Sequence, residues 1–504
     1  MNTTTPKTTP KTIDDILALN DISQKITYLK KGRKNKLPDA TKLMADWDPQ
    51  KHEIITDTTK YPKIKITTSL ETEEYDEKTG NTRKIPAKTK DVDPNRIALP
   101  IEQNIVNIHV AFSVGNEPKM ECTPSDDDER GVLMAVKQVM KKVKMKYLNR
   151  KIVRSLFSER EVALYWYVVK DDGFWAKMKA KIANIFGKKA PEYKLKASIW
   201  SPFRGDKLYP FYDDSGDMVA FSREYEKTDF EGNKYQCFMT IAKGQVYVWE
   251  STAEGWKLNG SLSFKSPFRK LPVIFAEIPE ALCEKIRNVR IRLEKLISEY
   301  ADCIDYHFFP ILMLFGDLDK LDGDMRNRIA QLTGEGADAK YLVWNQNAEP
   351  VKVEWEKLLN HAYDLTGTPQ ISFEKLQGLG NAFSGVSFRF AFMGAHMEVA
   401  NHGEVLGPFF QRNTNFLVSA IGDINSSLEK ASNTIDIETD LDPFMIDNDK
   451  DKVDVAVAAV NGGVWTTEAG VAYCNNYGEL KDQVEEIKEE QEARNAAKKT
   501  ITDE

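Results

Sequence analysis

Seven apolar residues, Leu282, Ile286, Val289, Leu293, Leu296, Tyr300 and Ile304, follow one another at steps of three or four. That spacing puts all seven on one side of an α-helix and fits no strand. Pro279 suits a first turn and Pro310 is the next breaker, so the pattern predicts a helix over 279–307. Such a helix is about 43 Å long at 1.5 Å per residue. Lys285, Arg287, Arg290, Arg292 and Lys295 early on, then Glu299, Asp302 and Asp305, are expected on its exposed faces. A helix this long with one narrow apolar stripe needs neighbours along its whole length, and other subunits are one source of them.

The flanks restrict the fold further. An apolar run, Leu271 to Phe275, leads into the helix, and a strand-like run, Phe308 to Phe315, leaves it. Asp317, Asp319, Asp322 and Asp324 follow, then a short predicted helix near Met325 to Leu332 and a strand at Lys340 to Trp344. A second helix is expected from Glu354 to Thr366, with Trp355, Leu358, Leu359, Ala362 and Leu365 on one face and Gly367 and Pro369 ending it. Residues 368 to 385 have no sustained period and carry Gly378, Gly380 and Gly385, so they read as a loop. Val386 to Ile421 is expected to be one long helix bent at Gly407-Pro408, although the alternation of Phe388, Phe390 and Phe392 also suits a strand. Ile435, Ile437 and Thr439 read as a strand, and the tail from Lys452 as helical, ending in the charged run Asp482 to Lys499.

Upstream the text is mixed. A helix is expected over Ile13 to Leu29, followed by a basic stretch, Lys30 to Lys36, whose plain reading is a solvated arm. Residues 101 to 114 are apolar and stop at Gly115, and Met134 to Tyr147 has a helical character rich in Lys. Strand-like runs then occur at Val162 to Val169, Tyr193 to Trp200, Met218 to Tyr225, Tyr235 to Ala242 and Gln245 to Glu250, with turn signals between them. A helical insertion is expected at Phe174 to Phe186. The class is therefore α+β.

Charge and motifs exclude several functions. Lys plus Arg total 70 against 77 for Asp plus Glu, a net charge of −7, which does not suit a protein that coats nucleic acid. The five cysteines are scattered and never form CxxC, which argues against disulfide frameworks and zinc ribbons and suits a reducing compartment. The start lacks the apolar stretch of a signal peptide, and no run approaches a membrane span. There is no GxxxxGK[ST], no GxSxG and no HExxH, and His396 and His402 are six apart, on different helix faces. The aspartates at 317 to 324 fail the EF-hand register, with Leu321 at its fifth position and Arg328 at its twelfth. Asp126 to Glu129 and Asp436, Glu438, Asp440 and Asp442 are acidic without a fixed ligand spacing. No catalytic constellation, metal site or cofactor is expected.

The order of features resembles the portal proteins of tailed double-stranded DNA bacteriophages of the long-tailed type. Four places carry the resemblance: Arg96 to Pro118, Leu271 to Phe275 with the 279–307 helix, the strand Ile311 to Phe315 with its insert and second helix, and Gly463 to Glu490. It implies a portal fold with a β-rich wing, a long-helix stem, a small α/β clip and a helical crown, assembled as a ring generally of twelve subunits.

Carried onto this chain, residues 1–39 are an arm, partly disordered, and 40–278 the first part of the wing. Residues 279–307 and 354–367 are the stem helices, 308–353 the clip and 368–385 a tunnel loop. Residues 386–450 are a long bent helix and wing strand, and 451–504 the crown and charged tail. The seven stripe residues are then stem packing. Gln370, Glu374, Lys375, Gln377, Gly378, Gly380 and Asn381 face DNA in the tunnel loop, with Lys375 either touching phosphates or pairing with Glu374 or a neighbouring subunit. Asp317, Asp319, Asp322, Asp324, Arg326, Arg328 and Trp344 of the clip dock the terminase or adaptor proteins. The implied partners are double-stranded DNA, the terminase large subunit, head-completion proteins, and major capsid and scaffolding proteins, with no membrane. The implied location is the portal vertex of the capsid, after assembly in the host cytoplasm. An acidic chain suits a conduit that must not grip its cargo: twelve copies at −7 carry roughly −84. The competing readings are a capsid or tail-tube subunit, or a metal-dependent packaging nuclease built on the acidic runs.

Overall fold

The computed structural model describes residues 12–69, 71–76, 81–170, 193–307, 311–321, 330–342, 348–370, 392–444, 449–474 and 487. They fall into two compact units, Met1–Thr368 with Glu398–Asp442, and Pro369–Met397 with Pro443–Glu504. The expected insertion at Phe174 to Phe186 lies outside the described residues.

The β-rich part of the first unit is an antiparallel meander of Lys207–Tyr212, Met218–Thr228, Lys234–Ala242, Gln245–Thr252 and Gly255–Leu258, with Phe264–Lys265 added beside Gln245 and Val246. Its turns are chemically specified. Asp213 accepts from the amides of Ser215 and Asp217, both at 2.9 Å, and Gly216 takes φ +87°, which a side chain at that position would resist. Alternate side chains of this sheet point to two different cores. Phe221, Met239, Ile241, Val246 and Val248 pack against a three-stranded sheet of Val273–Glu277, Glu161–Lys170 and Tyr193–Trp200. Ala220, Phe238, Ala242 and Trp249 pack against Ile13, Ile16, Ile26 and Leu29. Burial on both faces explains why these strands read as continuous apolar runs.

The helix expected over Ile13 to Leu29 is two helices, Ile13–Ala18 and Ile22–Lys31. Asp21 interrupts it by accepting from the amides of Ser23 (2.9 Å) and Gln24 (3.3 Å), an N-cap that outcompetes helix continuation. The basic stretch that follows is solvated only in part: Lys31, Lys34 and Lys36 are exposed, but Lys30 and Arg33 are tied to the sheets. The Arg33 side chain is 5% exposed, paired with Glu161 at 2.6 Å and donating to the carbonyl of Leu208 at 2.5 Å, while Lys30 pairs with Glu224 at 2.9 Å.

The largest core is helical, built by Ile101–Val114, Asp127–Lys142, Met145–Glu159, Leu282–His307 and Met393–Ile424. The run from Met134 to Tyr147 spans a break, because Lys144 adopts φ +56° between two helices. Pro408 lies inside Met393–Ile424 without ending it. Glu438–Asp440 pairs with Lys119–Glu121, a shorter strand than the alternation from Ile435 suggests. In the second unit, Asp449–Asn461 and Thr467–Cys474 form a helical hairpin through Gly463 at φ +69°, with Trp465 and Tyr473 in ring contact at 5.1 Å.

Between the long helix and its return, the chain forms a hairpin of Ile311–Leu321 and Ala330–Leu342. This corrects the expected helix near Met325 to Leu332, since Ala330, Gln331 and Leu332 are strand, paired with Leu321, Lys320 and Leu318. The second strand likewise starts ten residues before Lys340. Register shifts between Phe315 and Asp317 and between Leu318 and Lys320 relieve the long ladder. The return helix runs from Glu349 to Asp364, five residues earlier than expected at its start, with Pro350 in its first turn.

Candidate functional site at the root of the long helix

The long helix spans Leu282–His307, 26 residues. Leu282, Ile286, Leu293 and Leu296 are buried, Val289 and Tyr300 are half-buried, and Ile304 is exposed. Its apolar seam is thus covered at the root and bare towards its C-terminal end within one chain. The return helix lies beside it, with Arg292 donating to Glu354 at 2.8 Å. Trp355, Leu358 and Leu359 pack against the main core and Ala362 is buried in it, but Leu365 is exposed, off the face the spacing assigned to it.

A second face of the long helix is buried as well, and it is charged. Arg290, expected on an exposed face, is 1% exposed. It bonds Glu102 with its Nε, Glu294 at 2.8 Å and Asp46 at 3.2 Å. Arg287 forks onto Asp46, and His52 Nδ1 is hydrogen-bonded to Glu294 at 2.5 Å, its other nitrogen meeting the carbonyl of Asp46 at 3.1 Å. Burial pushes the Glu102 carboxyl up to about 7, although the adjacent Arg290 guanidinium opposes it. Nearer the start of the helix, Arg160 grips Glu284 with two bonds, at 2.5 and 2.6 Å.

An extended segment then runs along the helix, antiparallel to it. The amides of Leu99, Ile97 and Asn95 donate to Glu294 (2.9 Å), Ser298 (3.0 Å) and Asp302 (2.7 Å), and the Asn95 side chain reaches Asp305 at 2.7 Å. Four helical residues rise about 6 Å and two extended ones about 6.6 Å, so the two spacings match.

At the other end of the return helix, the Thr368 hydroxyl meets Thr366 at 2.7 Å and His109 at 2.8 Å. His109 stands edge-on to His402, ring centroids 5.5 Å apart. Burial holds both imidazoles neutral, lowering His109 to about 4 and His402 to about 3.

The other candidates fall as follows. Asp317 and Asp319 lie on the first strand of the hairpin, Asp317 opposite Thr333. Asp322, Asp324, Arg326, Arg328 and Trp344 lie outside the described residues, as do Glu374, Lys375, Gln377, Gly378, Gly380 and Asn381. Gln370 is described, two residues beyond Thr368. The acidic run at 126 to 129 serves a helix start: Asp126 accepts from the Glu129 amide at 2.7 Å, and Glu129 accepts from Ser125 and Thr434. No group of three His, Cys, Asp or Glu side chains that could hold a metal occurs among the described residues. No helix among them is long and apolar enough to cross a membrane.

Sequence reasoning missed the buried network of Asp46, His52, Glu102, Arg290 and Glu294. The available signal was the spacing of Arg290, Glu294 and Ser298 at steps of four, a polar stripe parallel to the apolar one.

The long helix, its hairpin and its return sit within residues 28–497, which match the family described as "Phage portal protein, SPP1 Gp6-like". The chain belongs to that family. A portal protein is a structural component of the virion and not an enzyme, and the mixed helix and sheet architecture is that of this family. No curated protein matches the chain. Among solved structures, a chain from the neck of an empty GTA particle computed with C6 symmetry is similar at a TM-score of 0.40 and 10% identity, covering 75% of this chain and 90% of that one. A chain from the virion of a native gene transfer agent particle is similar at a TM-score of 0.36 and 11% identity, covering 77% and 89%.

Proposed function

We propose that this portal protein closes into a ring, generally of twelve copies, at one vertex of the capsid, and that double-stranded DNA passes through it during packaging and ejection. The family match over 28–497 carries this reading. The helix pair supports it, because a seam covered at its root and bare at Ile304 leaves apolar surface for a neighbouring copy. The hairpin end docks the terminase and then the head–tail connector proteins, with Asp317, Asp319, Asp322, Asp324, Arg326, Arg328 and Trp344 on that surface. Residues 368–385 line the channel, where Gln370, Glu374, Lys375, Gln377 and Asn381 meet the duplex and Gly378 and Gly380 let each copy adapt to it. Residues 40–278 form the wing and 451–504 the crown. Capsid and scaffolding proteins surround the ring, which assembles in the host cytoplasm.

Native mass measurement with negative-stain imaging of the same sample tests the reading. Twelve times 57.4 kDa is about 690 kDa, and a ring of that mass with a hole wide enough for a duplex is the expected result. A monomer at all concentrations, or an open filament, would overturn it.

A further inference from the structure

A cavity of about 560 Å³ opens between the two helices that meet at Lys144 and the strand Lys119–Glu121 in the first unit. Its floor is apolar and soft, made by Met120, Met140, Met145 and Phe410, with Tyr147 at the lip. Tyr147 is 59% exposed, an unusual cost for an aromatic ring with nothing over it. Lys137, Lys141, Lys144 and Lys146 line it. All four are exposed, and none has an ion-pair partner among the described residues. They outnumber the one acid in the lining, the exposed Glu117, four to one, which leaves a net positive rim on a chain of net charge −7. Asn149 also lines the cavity, is 5% exposed, and its Oδ1 has no hydrogen-bond partner among the described residues. That buried amide oxygen is an acceptor open to a water or to a polar group that enters the cavity.

We infer that this cavity is a docking site for an acidic segment of a partner protein that inserts a large apolar side chain. The rim selects for Asp and Glu by charge, and the floor selects for an apolar anchor. Three methionines suit such a floor because an unbranched thioether repacks around whatever enters. Duplex DNA satisfies only half of the description: its phosphates match the lysines, but it has nothing to bury against Met120, Met140 and Phe410, and it would leave Tyr147 unused. None of its lining residues belongs to the helix pair, so its test does not depend on ring closure.

The test uses the full-length assembled protein and three fluorescent probes. The first is a helical peptide of Glu and Leu with Leu at every third or fourth position, the second the same peptide with Ser for Leu, and the third a short DNA duplex. The Glu–Leu peptide is expected to bind, and Lys137→Glu with Lys141→Glu to weaken it about tenfold or more. Tyr147→Ser, a surface change that spares the fold, is expected to weaken it several-fold and to leave duplex binding unchanged. Equal binding of the Ser-substituted peptide would overturn the proposal by showing attraction without a pocket. So would a duplex that displaces the Glu–Leu peptide in a manner indifferent to Tyr147→Ser, which would make this a nucleic-acid face. Absence of peptide binding, with the ring intact by electron microscopy, would also overturn it.

Discussion

Replacing Arg290 with Met tests whether the root of the long helix is held by its charges. Arg290 contacts three carboxylates, those of Glu102, Glu294 and Asp46. Asp46 keeps Arg287 when Arg290 is removed, and Glu294 keeps His52 and the Leu99 amide. Glu102 keeps no side-chain hydrogen bond, since Arg290 is its one such partner and its second oxygen has none among the described residues. Removing one partner of a buried ion pair costs about 3–5 kcal/mol, most of it the penalty for the charge left behind. That penalty depends on pH. Glu102 has a folded value near 7 against an ordinary 4.5, so the folded protein holds its proton more tightly than the unfolded chain. The stability tied to that proton is complete below the ordinary value and is lost as pH rises through about 7. Without Arg290 the carboxyl is pushed higher still. At about pH 5 the variant therefore buries a neutral acid and should lose only about 1–3 kcal/mol, whereas at about pH 8 the full loss applies. Urea midpoints at the two pH values measure the difference. The double change Glu102→Gln with Arg290→Met removes both charges and should recover half or more of the loss at the higher pH. An Arg290→Met protein within about 0.5 kcal/mol of the parent at about pH 8, or one equally weakened at both, would refute the argument.

Further expectations follow from the same structure. Ser298→Ala strands the Ile97 amide and should cost about 1 kcal/mol, with faster hydrogen exchange at residues 95 to 99 and little change elsewhere. His109 and His402 are buried neutral, so the unfolded chain binds more protons than the folded one below pH 6.5; stability should fall with acid from there towards about 4, and His402→Phe should flatten that slope in a thermal-unfolding series. Arg33→Ala leaves Glu161, already pushed up to about 7 by burial, without its nearest cation; limited proteolysis should then cut between residues 12 and 40 while the meander survives. Gly32→Ala drives a methyl group into the Phe211 ring and should loosen the same helices, whereas Gly131→Ala, inside Asp127–Lys142 and meeting only Leu428 at ordinary contact distance, should stabilise by roughly 0.5–1 kcal/mol.

What was legible in the sequence was whatever depends on local period. The strands at 193–200, 218–228 and 245–252 alternate or run apolar, and the long helix carries its stripe in plain view. What was not legible depended on partners distant in sequence. Lys30 and Arg33 read as a solvated arm because nothing near them is acidic; their partners, Glu224 and Glu161, lie 194 and 128 residues away. The insert after the long helix was misread for a different reason. Arg326, Asn327 and Arg328 suit a helix on propensity, but the strand from Ala330 is set by pairing with Ile311–Leu321, and cross-strand pairing outweighs local preference.

The polar ladder beside the long helix has a consequence that an apolar seam would not. Leucine and isoleucine accept a shift of one residue along a partner at modest loss, because their contacts are non-directional. The bonds from Leu99, Ile97 and Asn95 do not: they require acceptors at Glu294, Ser298 and Asp302 in register. Sliding the segment by one residue turns alternate amides away and strands all three acceptors together, each loss about 1 kcal/mol or more. Arg290 adds to this, since its three carboxylate partners come from a short helix near Asp46, from Glu102, and from its own helix at Glu294. A buried pair contributes little net stability compared with packed hydrocarbon, but it penalises every other arrangement. The root of the long helix is therefore fixed in position by directional bonds, while at its far end Ile304 and Tyr306 are exposed.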